Sequence, residues 1–351
     1  MIVDAEPAFR TRHANPYNAL LYTAVAQQGV TVREFSRRAL RHDRPDIVHL
    51  HWPELTFLSS HRAWQSRLRL AVFDLLIGRA RRRGTRLLWT VHNDDAHEDR
   101  ATPSLQHALE RLLRRHVDGV FILSDAAERA FRDRYGDTIP VYHTAHGHYR
   151  DAYPLTMGRA EARRVLGINE EPTLLASVGQ IRPYKNLSGL IDAVRELADP
   201  QLVLGVAGRP DSESSAELLR KSAGADPRVL LELRRLDDTR MAAWLRAADA
   251  VVLPYRRILN SGSAVLALSA GRPVIAPAIG AMPELARSAG AEWVHLYEGE
   301  LTPEVLRTAV SWVRETSRDA APDLDALDWS GIAEATVEGY RSALSNPRRR
   351  P

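Results

Sequence analysis

The chain has 351 residues, 44% of them hydrophobic and 26% charged, with a net charge of +4, a length and balance that fit two globular domains with separate cores. It contains no cysteine, which excludes disulfides, thiolate metal sites and a cysteine nucleophile. No apolar run approaches the roughly 18–20 residues that span a bilayer, and the opening MIVDAEPAFRTRH lacks the basic and apolar stretches of a signal peptide; a cytoplasmic chain is expected.

The elements alternate strand and helix, which predicts two parallel-sheet α/β domains. In the first half, extended character at Val30–Phe35 is followed by strand runs at Asp46–His51, Arg86–His92, Gly119–Leu123 and Pro140–His143. Between them, apolar spacings of three and four predict helices over Arg62–Arg83 and Pro103–His116. Tyr149–Arg163 reads as the linker. Strands resume at Thr173–Val178, Leu202–Ala207, Val229–Glu232, Ala250–Leu253, Pro273–Ala276 and Trp293–Leu296. A last helix is expected over Trp329–Leu344, before a disordered NPRRRP end. The expected domains are 1–150 and 151–325, with 326–351 as a terminal helix and tail. Residues 1–150 hold 23 arginines, no lysine, 17 acids and 12 of the 13 histidines, so the two halves are chemically unlike. Most of those arginines read as solvated helix faces.

Ligands of open parallel sheets bind beyond the carboxyl ends of strands, so the loops there carry the chemistry. After TLLASV comes Gly179-Gln180-Ile181-Arg182-Pro183-Tyr184-Lys185, a glycine turn with two cations three residues apart. Arg182 is suited to clamp a phosphate with paired hydrogen bonds, and Lys185 to act as a point charge. After AVVL, the sequence Asn260-Ser261-Gly262-Ser263 opens a helix whose free N–H groups and dipole suit a diphosphate. Plain N-capping explains Ser261 equally well. In the first half, the strand RLLWTV runs into His92-Asn93-Asp94-Asp95-Ala96-His97-Glu98-Asp99, rich in His and acids. His92, Asp94, His97 and Glu98 are candidate general bases, and the alternative is a polar loop that caps the next helix. His51, Trp52 and Glu54 end a neighbouring strand, where an aromatic ring beside polar groups suits stacking on a sugar. His116, flanked by arginines, reads as surface.

The order VGQIRPYKNLSGLIDAV, LRAADAVVLPY, SGSAVLALSAGRPVIAPAIGAMPEL resembles the nucleotide-sugar domain of GT-B glycosyltransferases. The segments NPYNALLY, HLHWPE, TVHNDDAHE and HTAHGHY resemble bacterial enzymes that build glycolipids and exopolysaccharides, including the β-mannosyltransferase type. The resemblance implies two Rossmann-like domains facing a cleft, with the acceptor in the first and the donor in the second. It implies that Gly179, Arg182, Lys185 and the Ser261, Gly262, Ser263 turn hold the diphosphate and that Glu284 touches the ribose or sugar. It places His92 near the transferred sugar, and His146 and His148 at the cleft. One departure stands out: the retaining family uses Glu-x7-Glu, whose positions fall on Ile258 and Leu266, so inversion is expected.

The function expected is therefore transfer of a sugar from a nucleotide diphosphate sugar, the co-substrate, to a hydroxyl of a saccharide or glycolipid. No cofactor is expected, and no metal, because Asp94-Asp95 and Asp237-Asp238 lack the strand-flanked Asp-x-Asp placement. The alternatives are a retaining transferase, a sugar-nucleotide epimerase or hydrolase, and a non-catalytic nucleotide-sugar-binding protein. The helix Trp64–Arg83 combines apolar residues with arginines; it reads either as a packing helix with a basic face or as a peripheral contact with the inner face of the membrane. No nucleic-acid motif accompanies the charge.

Overall fold

The computed structural model describes residues 1–58, 62–92 and 102–347. They divide into two compact units, one of Met1–Gly147 with Leu327–Pro351 and one of His148–Ala326.

The first unit is a parallel sheet of β1 (Ile2–Glu6), β2 (Thr31–Glu34), β3 (Ile47–Leu50), β4 (Arg86–Val91), β5 (Gly119–Ile122) and β6 (Val141–His143), in the order β2-β1-β3-β4-β5-β6. β3, β4 and β5 are buried along their whole length, as expected of parallel strands covered on both faces. Strand β1 is absent from the sequence expectation: IVDAE is short, ends in an acid and runs straight into proline. It nevertheless sits between β2 and β3, and the order reverses there, so the carboxyl ends of β1 and β3 flank the crevice where such sheets bind ligands.

The second unit is β7 (Thr173–Val178), β8 (Leu202–Ala207), β9 (Val229–Glu232), β10 (Ala250–Val252), β11 (Val274–Pro277) and β12 (Val294–Tyr297), parallel in the order β12-β11-β10-β7-β8-β9. Its switch point lies between β7 and β10, and the loops after those strands are the two cationic and serine-rich loops singled out above.

Two expectations change. The stretch read as a linker runs into the helix Arg159–Leu166, ended by Gly167 in the left-handed region. Within it the fully buried Arg163 donates to the carbonyls of Asn169, Glu170, Pro172 and Ala247 and pairs with Asp249; these bonds make it part of the second core. The last helix, Trp329–Ser345, packs into the first unit. A Cβ on Gly339 would lie 2.7 Å from the Phe121 ring, so only glycine lets the helix approach the sheet this closely. Arg86 donates to the carbonyl of Asn346, which holds the helix end; residues 348–351 lie outside the described residues.

Candidate active site

In the first unit the strand ends converge on a buried histidine and tyrosine cluster. His49 is paired in register with Ala5 of β1 and Leu88 of β4, so its ring stands inside the layer. Its Nδ1 is 2.7 Å from the Tyr340 hydroxyl and its Nε2 is 2.8 Å from Thr90 Oγ1. His51, one residue beyond β3, has Nε2 2.5 Å from the Tyr22 hydroxyl and Nδ1 2.9 Å from His92 Nε2. Trp52 stacks on His92 with ring centroids 4.2 Å apart. Tyr17 meets His92 edge-on at 5.1 Å and His146 at 4.7 Å. The indole of Trp52 is thus committed to the imidazole on one face.

Burial dominates the electrostatics. It pushes His49 down to about 3 and His146 to about 4, and it pushes His51 and His92 well below the ordinary histidine value, helped by the neighbouring rings. All four are neutral near pH 7. Glu6, at the carboxyl end of β1, is buried, accepts from Thr56 and pairs with Arg10. Burial raises its carboxyl above the usual range, against the pull of Arg10. The sequence reading missed Glu6, Tyr17, Tyr22, Thr90 and Tyr340. Their signal is faint: tyrosines in helices and an acid before proline read as ordinary amphipathic residues.

Of the predicted residues, His51, Trp52, His92 and His146 are brought together, and Glu54 stands in the first turn of the short helix Pro53–Phe57. Asp94, His97 and Glu98 lie outside the described residues. His148 falls in the second unit, buried, with Nδ1 accepting the Arg150 N–H at 3.4 Å. His116 is corrected from surface to interior: it is 5% exposed, and its Nε2 is 2.6 Å from Asp74 Oδ1. The helix Pro103–His116 turns this position onto the helix Ala63–Arg82, while the exposed Arg115 reaches the same Asp74 at 3.7 Å and Arg114 turns back to Glu110.

In the second unit the loop after β7 is shaped by backbone contact with the loop after β8. Gly179 has φ +116 and Gly208 φ +153, and a Cβ on Gly208 would lie 1.7 Å from the Gly179 carbonyl oxygen. Two glycines are therefore required for the loops to touch. Beyond them Asn186 adopts the left-handed conformation and the helix Leu187–Leu197 begins. Lys185 is 6% exposed, and its ammonium lies 5.6 Å from the Tyr255 ring centroid. Among the described residues no carboxylate pairs with it. Burial lowers its pKa, and the Arg182 charge adds to that fall. Arg182 donates to Gln180 Oε1 at 3.2 Å.

Ser261 caps the helix Gly262–Ser269, accepting the Ala264 N–H at 3.1 Å, so the capping alternative is realised in its hydroxyl. Burial raises the Tyr255 phenol, and the neighbouring Ser263 and Ser261 pull it back down, so this turn lies beside the ring near Lys185. The Ala281 N–H donates to the Leu259 carbonyl, which brings the helix bearing Glu284 (Met282–Ala289) alongside the same loop. Ile258 and Leu266 are both half-buried and offer no polar atom. Asp237 caps the helix Asp238–Ala247. Among the described residues no group of three His, Asp or Glu side chains is placed to hold a metal.

These units match known proteins in the same division. The family model described as "Glycosyl transferase 4-like domain" matches residues 5–142, and "Glycosyl transferases group 1" matches residues 158–301. A GDP-mannose:glycolipid 4-beta-D-mannosyltransferase of Xanthomonas campestris pv. campestris is 34% identical over 335 residues, 95% of this chain and 89% of that protein. Sucrose-phosphate synthase from Thermosynechococcus elongatus superposes with a TM-score of 0.71 over 97% of this chain and 98% of that one, at 16% identity. Anabaena HepE, solved in complex with UDP, gives 0.68 over 97% and 99%, also at 16%; at such identity both speak to the fold. The chain belongs to the group 1 glycosyltransferases of the GT-B fold and is an enzyme that draws its sugar from a nucleotide-sugar donor.

Proposed function

We propose that the chain transfers mannose from GDP-mannose to a hydroxyl of a lipid-linked saccharide, with inversion and without a metal. The observation that carries the donor half is the buried Lys185 ammonium, which no described carboxylate neutralises. It lies beside Arg182 and near a capped helix start, at the switch point of the second sheet. A buried lone cation is costly, and a diphosphate offsets that cost. The identity of sugar and acceptor rests on the end-to-end likeness to the Xanthomonas mannosyltransferase.

In the reaction the acceptor oxygen bonds to the anomeric carbon as the carbon–oxygen bond to the diphosphate breaks. The departing diphosphate carries its charge onto Arg182, Lys185 and the N–H groups of the Ser261–Ser263 turn. The acceptor proton passes to a base, for which the candidates stand on and after the end of β4: His92, Asp94, His97 and Glu98. Ile258 and Leu266 replace the carboxylates of the retaining pattern, which favours displacement opposite the leaving group. Because cations and N–H donors meet the diphosphate, no bridging ion is needed. The epimerase, hydrolase and non-catalytic readings gain no support from the relatives.

The helix Ala63–Arg82 supports a peripheral membrane contact. Trp64, Leu68 and Leu75 are 58%, 56% and 53% exposed, and their spacing puts them on one face. Exposed Arg67, Arg79 and Arg82 accompany them, the pairing of apolar stripe and cations that suits an anionic bilayer surface. No helix among the described residues is long and apolar enough to cross a membrane. A donor screen with GDP-, UDP- and dTDP-sugars, run with and without EDTA, tests the reading. Turnover of GDP-mannose that survives chelation is expected; preference for a uridine donor, or loss restored by magnesium, contradicts it.

A further inference from the structure

The loop that leaves β1 is fastened at several points. Three successive N–H groups, those of Ala8, Phe9 and Arg10, donate to the carboxylate of Glu34 at the end of β2, the first and last at 3.3 and 2.7 Å. Asn18, in the helix Tyr17–Gln27, donates to the Pro7 carbonyl at 2.7 Å. Held in this way, the loop brings the Arg10 guanidinium onto Oε1 of Glu6. The Thr56 hydroxyl donates to the same oxygen at 3.0 Å and lies 3.4 Å from the Trp52 carbonyl. Two donors thus converge on Oε1. Oε2 accepts from no described group and is not sealed from solvent, although Glu6 as a whole is only 2% exposed. A carboxylate offers about four lone-pair sites over its two oxygens, and a buried side chain that leaves one oxygen unused calls for a partner. The position is the one where a ligand would supply it. Glu6 stands in register with Leu50, and its carbonyl accepts the His51 N–H at 3.0 Å, so it shares the carboxyl end of the sheet with His51 and Trp52, where the strand order reverses.

We propose that Glu6 selects the acceptor: its Oε2 takes a hydrogen bond from a hydroxyl of the acceptor sugar, while Arg10 and Thr56 hold Oε1 and so aim the free oxygen. This rests on the reading of the first unit as the acceptor side of a transferase. The partner is a hydroxyl because Oε2 needs a donor; an ionised phosphate oxygen, which only accepts, does not fit the same place. Glu34, the other acid at this edge, already accepts three N–H groups. Glu6 binds and orients the acceptor, and the base that takes its proton is a different group, on or after the end of β4. Thr56 is a positioning residue, acting on the acceptor only through Glu6.

Binding is read first, apart from turnover. The full chain is labelled with ¹³C-carboxyl glutamate, and the Glu6 resonance is identified by its loss in Glu6→Gln. Octyl β-glucoside, octyl β-galactoside and octyl α-mannoside serve as acceptor probes in the presence of GDP. At least one should move the Glu6 resonance; if none does, the inference fails. If the resonance moves but GDP-mannose is not turned over with any probe, the transferase reading fails and the sugar site stands. Kinetics supplies the second test. In Glu6→Gln the amide oxygen can keep the bonds from Arg10 and Thr56 while an NH₂ group takes the place of Oε2. The acceptor KM should rise about tenfold, as for loss of a charge-assisted hydrogen bond, with donor KM and kcat within about twofold. One monodeoxy analogue of the acceptor should show a similar penalty with the wild type and little with Glu6→Gln. Its fluorinated counterpart, which cannot donate, should be as poor as the deoxy sugar for the wild type. Thr56→Val should raise the acceptor KM and spare the donor KM, and it decides the matter if Glu6→Gln does not fold. An unchanged acceptor KM in the folded variant overturns the inference. A fall in kcat at constant acceptor KM overturns it too, since Glu6 would then be the base.

Discussion

Replacing Lys185 by methionine should weaken donor binding and stabilise the free protein at the same time. Methionine keeps most of the side-chain volume beside Tyr255 and Gly179, so packing changes little. The lost contact with a diphosphate is a charge-assisted hydrogen bond worth about 1.5–3 kcal/mol, which corresponds to roughly 10- to 150-fold weaker binding of GDP. Without ligand the ammonium is buried 5.6 Å from an aromatic centroid and meets no described carboxylate, so its removal relieves a desolvation cost. The pH dependence has a definite sign. The folded-state pKa is lowered from 10.5 chiefly by burial, so in the window between that lowered value and 10.5 the unfolded chain binds the proton more readily. Wild-type stability therefore rises with pH across that window, relative to Lys185→Met, and the gap between the proteins narrows. Donor affinity falls over the same range, because the diphosphate must bind a lysine that has lost its charge. Urea denaturation with and without GDP, and calorimetric titration at several pH values, measure each term. Equal GDP affinity in both proteins would refute the placement of the diphosphate; a less stable variant would refute the unpaired charge.

Gly208→Ala should cost about 3 kcal/mol or more, because φ is +153 and the added Cβ would meet the Gly179 carbonyl at 1.7 Å. GDP binding should be lost with it, and a wild-type denaturation midpoint would show the two loops are not in contact. Changing Trp64, Leu68 and Leu75 together to serine should abolish flotation with anionic vesicles and spare transfer to a short soluble acceptor. Undiminished flotation would exclude this face as the membrane contact.

Much of the fold is legible in the sequence because buried parallel strands read as apolar runs. RLLWTV and TLLASV leave no other interpretation, and β4 and β7 follow them to within a residue. Strand β1 is not legible, since Asp4 and Glu6 break the run and their cationic partners, Arg33 on β2 and Arg10 four residues on, leave no mark on its periodicity. The loop after β7 stands out because its cations lie three residues apart. Its shape does not, because the Gly179–Gly208 contact joins two loops 29 positions apart in the chain. The histidine cluster shows the same limit. His49 and His51 are visible at a strand end, but the tyrosines that hydrogen-bond to them come from helices at opposite ends of the chain, Tyr22 near the start for His51 and Tyr340 near the close for His49. Periodicity marks such a residue as buried without naming its partner.

The most direct test of the account is the anomeric configuration of the product. Purified protein should be given GDP-α-mannose and a lipid-linked saccharide acceptor, and the fresh product examined by nuclear magnetic resonance, with the one-bond carbon–hydrogen coupling at the new anomeric centre as the readout. Ile258 and Leu266 leave the second unit without the retaining carboxylates, so the account predicts a β-mannoside and stoichiometric release of GDP. An α-mannoside would contradict it.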